Sequence, residues 1–242
     1  MEWKEIYKNR FATVEEAVRA IEDGDRLVFG HAAGCPQVVP AEMIAQKERL
    51  HDVGIYHMLT LNDGSYLTPG TEGHFRHITN FVGGNSRQAV ADDRADFLPV
   101  FFYEIPQLFD EVYPVDVAVI QVSYPDSEGN CSFGLSCDYT KAAAEKARLV
   151  IAEMNENMPY VEGDNKIHIF CFYFRIMGVR EIISSIIRLF VNSYLLFSYA
   201  SRACDCLSLS VDRSADSMVP LAKFFSDISY CTLARIRLSL FI

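Results

Sequence analysis

From Val115 to Val122 the chain is apolar at all but two positions, with Val115, Val117, Ala118, Val119, Ile120 and Val122 interrupted by Asp116 and Gln121. A run this short and this rich in β-branched residues suits a strand covered on both faces, as in a parallel sheet between layers of helix. Directly after it, Ser123-Tyr124-Pro125-Asp126-Ser127-Glu128-Gly129-Asn130-Cys131-Ser132-Phe133-Gly134 is dense in turn formers. In open α/β sheets, ligands sit outside the carboxyl ends of the strands, where loops carry specific groups on a rigid base. The pattern predicts a buried central strand that opens into a structured loop at such an edge.

Elsewhere the hydrophobic spacing alternates between two periods. Thr13-Val14-Glu15-Glu16 fits a capping box, and Val14, Ala17, Val18 and Ile21 share one helical face, with Gly24 as a stop. Leu27, Val28 and Phe29 read as a strand that exits into Gly30-His31-Ala32-Ala33-Gly34-Cys35-Pro36. A helix is predicted from Pro40 to about Leu50, since proline is tolerated in a first turn. Val53, Ile55 and His57 alternate with Gly54, Tyr56 and Met58 as a strand leading to the Asn62-Asp63-Gly64 turn. The span from Tyr66 to His77 reads as irregular, and Ile78 to Val82 as a further strand. Ser86 is placed to cap a helix carrying Ala89, Val90 and Ala95. Phe97 to Tyr103 is apolar enough to predict burial, and Ile105-Pro106 opens a brief helix or turn. Asp138 or Thr140 can cap an alanine-rich helix, and Leu149 to Ala152 returns to strand. Helices and strands in alternation imply a mostly parallel sheet sandwiched by helices.

Charge narrows the range of functions. The net charge of -10 across 242 residues leaves no basic excess for binding nucleic acid. The start of the chain, with Glu2 and Glu5 and no apolar run, resembles neither a secretory nor a transit leader. Seven cysteines without paired spacing read as reduced thiols of a cytoplasmic protein. The averages hide two unlike parts. Residues 1 to 168 carry a net charge of -13, all six histidines and twelve of the thirteen glycines, whereas the remainder carries +3. The shift predicts a boundary near residue 169, with an α/β domain over 1–169 and a divergent apolar tail over 170–242. Ile182 to Ala200 has the length of a membrane span, but Arg188 and Asn192 lie in its middle, so a span is not expected.

Several side chains invite a chemical reading. His31, on a loop leaving a strand, suits hydrogen bonding to a carboxylate or thioester oxygen, but on the residues alone capping a backbone carbonyl is the favoured reading. Gly83-Gly84-Asn85-Ser86-Arg87 suits an anion at a helix start, but lacks the spacing of a phosphate loop and reads better as a glycine turn. Asp126 and Glu128 point apart at i,i+2 on a turn, and Asp126 is better placed to bond nearby amides. His74 and His77 lack the further ligands that a metal site needs and read as surface or loop histidines. No metal site is predicted. Ser132 misses the hydrolase elbow by one residue.

Taken together, Gly30-His31-Ala32, Glu72-Gly73-His74-Phe75-Arg76-His77, Phe81-Val82-Gly83-Gly84, Arg94-Ala95-Asp96-Phe97, Glu104-Ile105-Pro106 and Pro114-Val115-Asp116-Val117-Ala118 form an ordered set. Pro125-Asp126 with Gly129, Asp138 to Glu145, Met158-Pro159 and Ile167-His168-Ile169 continue it. This set resembles the amino-terminal half of the acetyl-CoA hydrolase/transferase family, in its branch of 4-hydroxybutyrate and butyryl-CoA:acetate CoA-transferases. The resemblance implies a CoA-transferase-like, NagB/RpiA-like α/β fold. It also implies an enzyme of short-chain acid metabolism that passes coenzyme A from an acyl-CoA to acetate, butyrate or 4-hydroxybutyrate through a glutamyl thioester. Acyl-CoA and short-chain carboxylates are then substrates, no cofactor is held permanently, and a homo-oligomer is compatible. Gly30, His31, Ala32, Gly34 and Pro36, with Asn62, are carried over as substrate-binding residues.

The resemblance assigns the nucleophilic glutamate to a second half that has no counterpart here, so no catalytic residue is assigned and the chain is expected to be inactive alone. Beyond Ile169, Phe170-Cys171-Phe172-Tyr173-Phe174 departs from the family pattern, as a frameshifted or unspliced tail would. The rival readings are a non-catalytic interaction module and a protein tethered to a membrane by the tail.

Overall fold

The computed structural model describes residues 11–177. Seven parallel strands form one sheet in the order β4-β3-β2-β1-β5-β7-β9. They are β1 (Arg26–Phe29), β2 (Val53–Tyr56), β3 (Phe75–Thr79), β4 (Ala95–Phe97), β5 (Val117–Val122), β7 (Leu149–Met154) and β9 (Phe174–Met177). A small antiparallel pair, β6 (Asn130–Ser132) with β8 (Lys166–His168), stands beside it. The helices are α1 (Val14–Arg19), α2 (Val38–Ala45), α3 (Arg87–Ala91), α4 (Ile105–Glu111) and α5 (Tyr139–Lys146).

The period of two along each strand sorts side chains into two cores. Ala118, Ile120 and Val122 of β5 join Val150, Ala152 and Met154 of β7 against α4 and α5. Val117 and Val119, with Leu149 and Ile151, face the opposite way against α1 and α2. Every residue of β5 and β7 is buried, as the continuous apolar run requires of a strand covered on both faces. The chain builds outward from β1 through β2 and β3 to β4, then returns to place β5 on the other side of β1. The order therefore reverses between β1 and β5, and the loops leaving their carboxyl ends run in opposite directions and open a crevice.

Local signals worked where the partners are near in sequence. Thr13 and Glu16 close the capping box, with Glu16 N–H donating to Thr13 Oγ1 at 3.2 Å and Thr13 N–H to Glu16 Oε2 at 3.0 Å. Asp138 caps α5 by accepting from Thr140 N–H at 3.0 Å. Asp126 ties its loop by accepting from Glu128 N–H and Asn130 N–H, both at 2.9 Å.

Other expectations are corrected. The strand expected at Ile78 to Val82 is β3 at Phe75–Thr79, so part of the supposedly irregular span is sheet. His77 accordingly lies within a strand and is buried, not on a surface or loop. The second helix begins at Val38 and ends at Ala45, followed by a short 3-10 turn at Lys47–Arg49. Ser86 does not cap α3; its Oγ accepts from Gly83 N–H at 3.0 Å instead, and the helix ends at Ala91, so that Ala95, expected on it, opens β4 opposite His77. The apolar stretch expected to be buried is largely exposed: Phe97, Phe101, Phe102 and Tyr103 all stand out from the surface. Only Leu98 and Val100 of that stretch pack partly on a core.

The sheet also extends past Ile169, since β9 pairs with β7 in parallel, Ile151 opposite Phe174 through Met154 opposite Met177. Residues 178–242, including the apolar stretch at Ile182 to Ala200 and most of the expected tail, lie outside the described residues. Among the described residues no helix is long and apolar enough to cross a membrane.

Candidate functional site

The loop that leaves β1 sits at the point where the strand order reverses. Gly30 N–H donates to Val119 O of β5 at 2.9 Å, so the loop begins hydrogen-bonded across the crevice. A β-carbon on Gly30 would stand 2.6 Å from Gly34 O, and one on Gly34 would stand 2.6 Å from Ser136 Cβ. The loop is thus folded tightly on itself and against the segment before α5. Gly30→Ala and Gly34→Ala should each cost about 1–3 kcal/mol through overpacking, read as a lowered urea midpoint with an unchanged slope. Ala32 holds a left-handed backbone with φ +50, anchored by its N–H to Leu59 O at 3.1 Å. A non-glycine residue in that region stores of order 1 kcal/mol of strain.

His31 is the chemical centre of the loop. It is 6% exposed, and its Nε2 lies 2.6 Å from Asp138 Oδ2. Asp138 also accepts from Ser136 Oγ at 3.0 Å and from Thr140 Oγ1 at 2.9 Å. Burial works against ionisation of Asp138, but His31 and Thr140 outweigh it and hold the carboxyl below its ordinary range. An ionised Asp138 accepts a proton-bearing Nε2, which turns the other ring nitrogen, Nδ1, toward the remaining side of the site. Nδ1 is buried and has no hydrogen-bond partner among the described residues. The imidazole packs on Tyr139 with ring centroids 4.9 Å apart and against Phe102 at 6.0 Å.

Beneath the loop lies a second carboxylate. Glu153, fully buried near the end of β7, accepts from Gln37 N–H at 2.8 Å and from Val38 and Val39 N–H, both at 2.9 Å. It serves as the cap that α2 lacks in its own sequence, placing negative charge at the helix start. Burial pushes its carboxyl up to about 7 against the downward pull of those three amides. Gln121, its register partner on β5, donates to Cys35 O at 3.4 Å and accepts from Asn155 Nδ2 at 3.2 Å. Cys35 is buried, which pushes its thiol up to about 12 and leaves it unreactive.

On the far side of β1 stands a buried histidine pair. His57 Nδ1 lies 2.6 Å from Tyr66 Oη, and its ring centroid is 6.5 Å from that of His77. Burial pushes His77 down to about 4 and, with the charges of His77 and His31, holds His57 well below its ordinary value. Depressed histidines contribute stability that is fully present above about pH 6.5 and is lost as the pH falls toward 4, because the unfolded chain binds protons there and the folded one does not. His77→Leu is therefore expected to flatten the acid side of the stability profile by up to about 1.4 kcal/mol per pH unit, measured by urea unfolding between pH 7 and 4.5.

The family model for the acetyl-CoA hydrolase/transferase N-terminal domain matches residues 1–187. The chain belongs to the acetyl-CoA hydrolase/transferase family. It is 52% identical over 170 residues to a 4-hydroxybutyrate coenzyme A transferase of Clostridium kluyveri, a match covering 70% of this chain and 40% of that protein. It is 36% identical over 157 residues to a succinyl-CoA:acetate/propanoyl-CoA:succinate CoA transferase of Fasciola hepatica, covering 64% and 32%. The crystal structure of a 4-hydroxybutyrate CoA-transferase from Porphyromonas gingivalis matches with a TM-score of 0.63 and 39% identity, over 75% of this chain and 42% of that one. The match thus spans between about a third and two-fifths of the length of these transferases.

Within the family domain, Gly30, His31, Ala32, Gly34 and Pro36 form one contiguous loop. Asn62, although on a separate turn, reaches it by donating Nδ2 to Pro36 O at 3.1 Å while Oδ1 accepts from Gly64 N–H at 3.0 Å. The structure therefore brings all six together. Sequence reasoning missed Ser136 and Glu153, and assigned Asp138 a capping role alone. Glu153 left a signal, a lone carboxylate in an otherwise apolar strand. A cavity of about 950 Å³ lined by Phe11, Arg148, Lys166, Phe170 and Tyr173 among others touches none of the six residues. Its size does not connect it to the His31 chemistry. Among the described residues no group of three or more His, Cys, Asp or Glu is placed to hold a metal ion.

Proposed function

We propose that this domain forms one wall of the cleft of a cytoplasmic enzyme that moves coenzyme A between an acyl-CoA and a short-chain carboxylate such as acetate, butyrate or 4-hydroxybutyrate. The observation that carries the reading is His31, whose Nδ1 is buried without a partner at the sheet's switch point while Asp138 holds Nε2. Family membership and the named activities of the relatives support it.

In this reading a protonated His31 donates Nδ1–H to the substrate oxygen on which charge develops, and Asp138 stabilises the imidazolium. The loop residues Gly30, Ala32, Gly34 and Pro36 shape the floor, and Asn62 fixes the Pro36 carbonyl. A transfer between two carboxylates needs an activated carboxyl group to carry the thiol. Glu153 is unsuited to that task, because its oxygens are buried and engaged by three amides. The nucleophile is assigned to no described residue, and the chain alone is expected to show no turnover.

The test mixes the full 242-residue chain with butyryl-CoA and acetate and follows acetyl-CoA formation, alongside acyl-CoA binding by calorimetry. Binding without turnover, weakened at least about tenfold in His31→Ala, is the expected result, the scale of one charge-assisted hydrogen bond. A coenzyme A adduct on Glu153 or any other glutamate of residues 11–177, found by mass spectrometry, defeats the assignment.

A further inference from the structure

Three aromatic side chains in succession, Phe101, Phe102 and Tyr103, stand out from the surface, although their composition alone argues for burial. Their backbone is firmly held. Phe101 N–H donates to Glu104 Oε2 at 3.1 Å, and Glu104 N–H donates to Phe101 O at 2.9 Å. The turn then enters α4, where Ile105, Leu108 and Phe109 are buried in the core. Leu98 and Val100 anchor the approach from the other side. The aromatic rings are therefore presented on a rigid base.

Within this triplet the rings have different neighbours. Phe101 and Tyr103 stack on each other, with centroids 5.9 Å apart and planes at 13°. Phe102 points to the site: its ring lies 6.0 Å from that of His31 and 6.4 Å, edge-on, from that of Tyr139. It is 49% exposed, so one side packs on the imidazole and the other is open. An apolar ring beside an unpartnered, buried nitrogen is the arrangement that an acyl group requires, with its oxygen toward the polar atom and its alkyl chain along the ring.

We infer that Phe102 is the specificity-determining residue of the His31 site, its open face forming the wall along which a straight alkyl chain of an acyl group lies. This rests on the proposed substrate site and names the class it selects, unbranched aliphatic acyl groups. Branched or charged acyl chains lose that contact, since a flat ring face complements an extended chain and offers no hydrogen bond to a second carboxylate. A methylene buried on such a surface strengthens binding by up to about fourfold.

The experiment titrates acetyl-CoA, butyryl-CoA, hexanoyl-CoA and succinyl-CoA into the full wild-type chain and into Phe102→Ala, Phe102→Leu and His31→Ala, with a thermal melt of each to verify folding. In the wild type, affinity is expected to rise by about two- to fourfold per methylene from acetyl to hexanoyl, with succinyl-CoA weaker than butyryl-CoA. Phe102→Ala is expected to flatten the series to below about twofold overall, with Phe102→Leu intermediate. Wild-type increments retained in folded Phe102→Ala overturn the inference while leaving the site reading intact. Acyl-CoA binding that His31→Ala leaves unchanged, or no binding by the wild type, overturns the site reading and the inference together.

Discussion

Glu153→Ala is expected to lower the unfolding free energy of the domain by about 3–5 kcal/mol, among the largest effects available to a single substitution here. The carboxylate is fully buried and satisfies three successive amides at the start of α2. Alanine leaves those amides without acceptors in a site closed to water, and each unsatisfied buried donor costs about 1–3 kcal/mol before relaxation. Urea denaturation at pH 7 measures the loss directly. A change below about 1 kcal/mol in the absence of a rearranged α2 would mean that the amides find other partners and that the strut is dispensable. Glu153→Gln keeps one acceptor oxygen and should fall between the two.

The same residue has a pH signature opposite to that of the buried histidines. Because the folded carboxyl is lifted to about 7 from an ordinary value of 4.5, the folded state binds more protons than the unfolded one between those limits. Its contribution is fully present below about pH 4.5 and is lost as the pH rises through 7. The stability difference between wild type and Glu153→Gln should accordingly shrink as pH increases from 4.5 to 7. A difference that grows across this window would contradict the assignment.

Asp138→Ala should cost about 2–4 kcal/mol, combining a lost helix cap with a lost charge-assisted bond to His31. Asp138→Asn separates the two roles. Its amide oxygen can still cap α5, where Thr140 N–H lies 3.0 Å from Oδ1, but it removes the negative charge opposite Nε2. Asparagine is therefore expected to retain most of the fold stability and to lose about tenfold in acyl-CoA affinity. Equal losses of stability in the two variants would show that the His31 pairing, not the cap, carries the structural effect. Since the wild-type carboxyl titrates below its ordinary 3.8, its stabilising contribution is lost only as the pH falls below that value, on the acid side of the Glu153 window.

The mouth of the site differs in character from the layer beneath the loop. That layer, made by Gln121, Glu153 and Asn155, is polar and buried, with Asn155 Nδ2 donating to Gln121 Oε1 and Glu153 accepting from the amides at the start of α2. Such a network fixes one arrangement because every alternative strands a polar group. The mouth carries exposed rings, whose contacts are apolar and tolerant of partner shape. Under the proposed function, discrimination among acyl groups falls to the rings of the mouth, and the geometry of the loop to the polar layer beneath it.

Much of the architecture was legible in the chain because it depends on neighbours in sequence. The apolar run at Val115 to Val122 could satisfy its residues only between two layers, and the spacing of Val14, Ala17 and Val18 only on one helical face. The capping residues of α1 and α5 lie within three positions of the amides they serve. The loop Gly30 to Pro36 was likewise marked by its own glycines and histidine.

Only the tertiary structure decided the rest. Asp138 is 107 positions from His31, and Glu153 is more than 110 from the helix it caps, so neither pairing has a local spacing to reveal it. The exposure of Phe101 to Tyr103 was equally hidden, since composition reports how apolar a segment is and not what covers it. Local hydrogen bonds and side-chain period are written in adjacent residues. Which distant carboxylate meets which loop, and which ring is left facing a crevice, follows from how the sheet orders its strands.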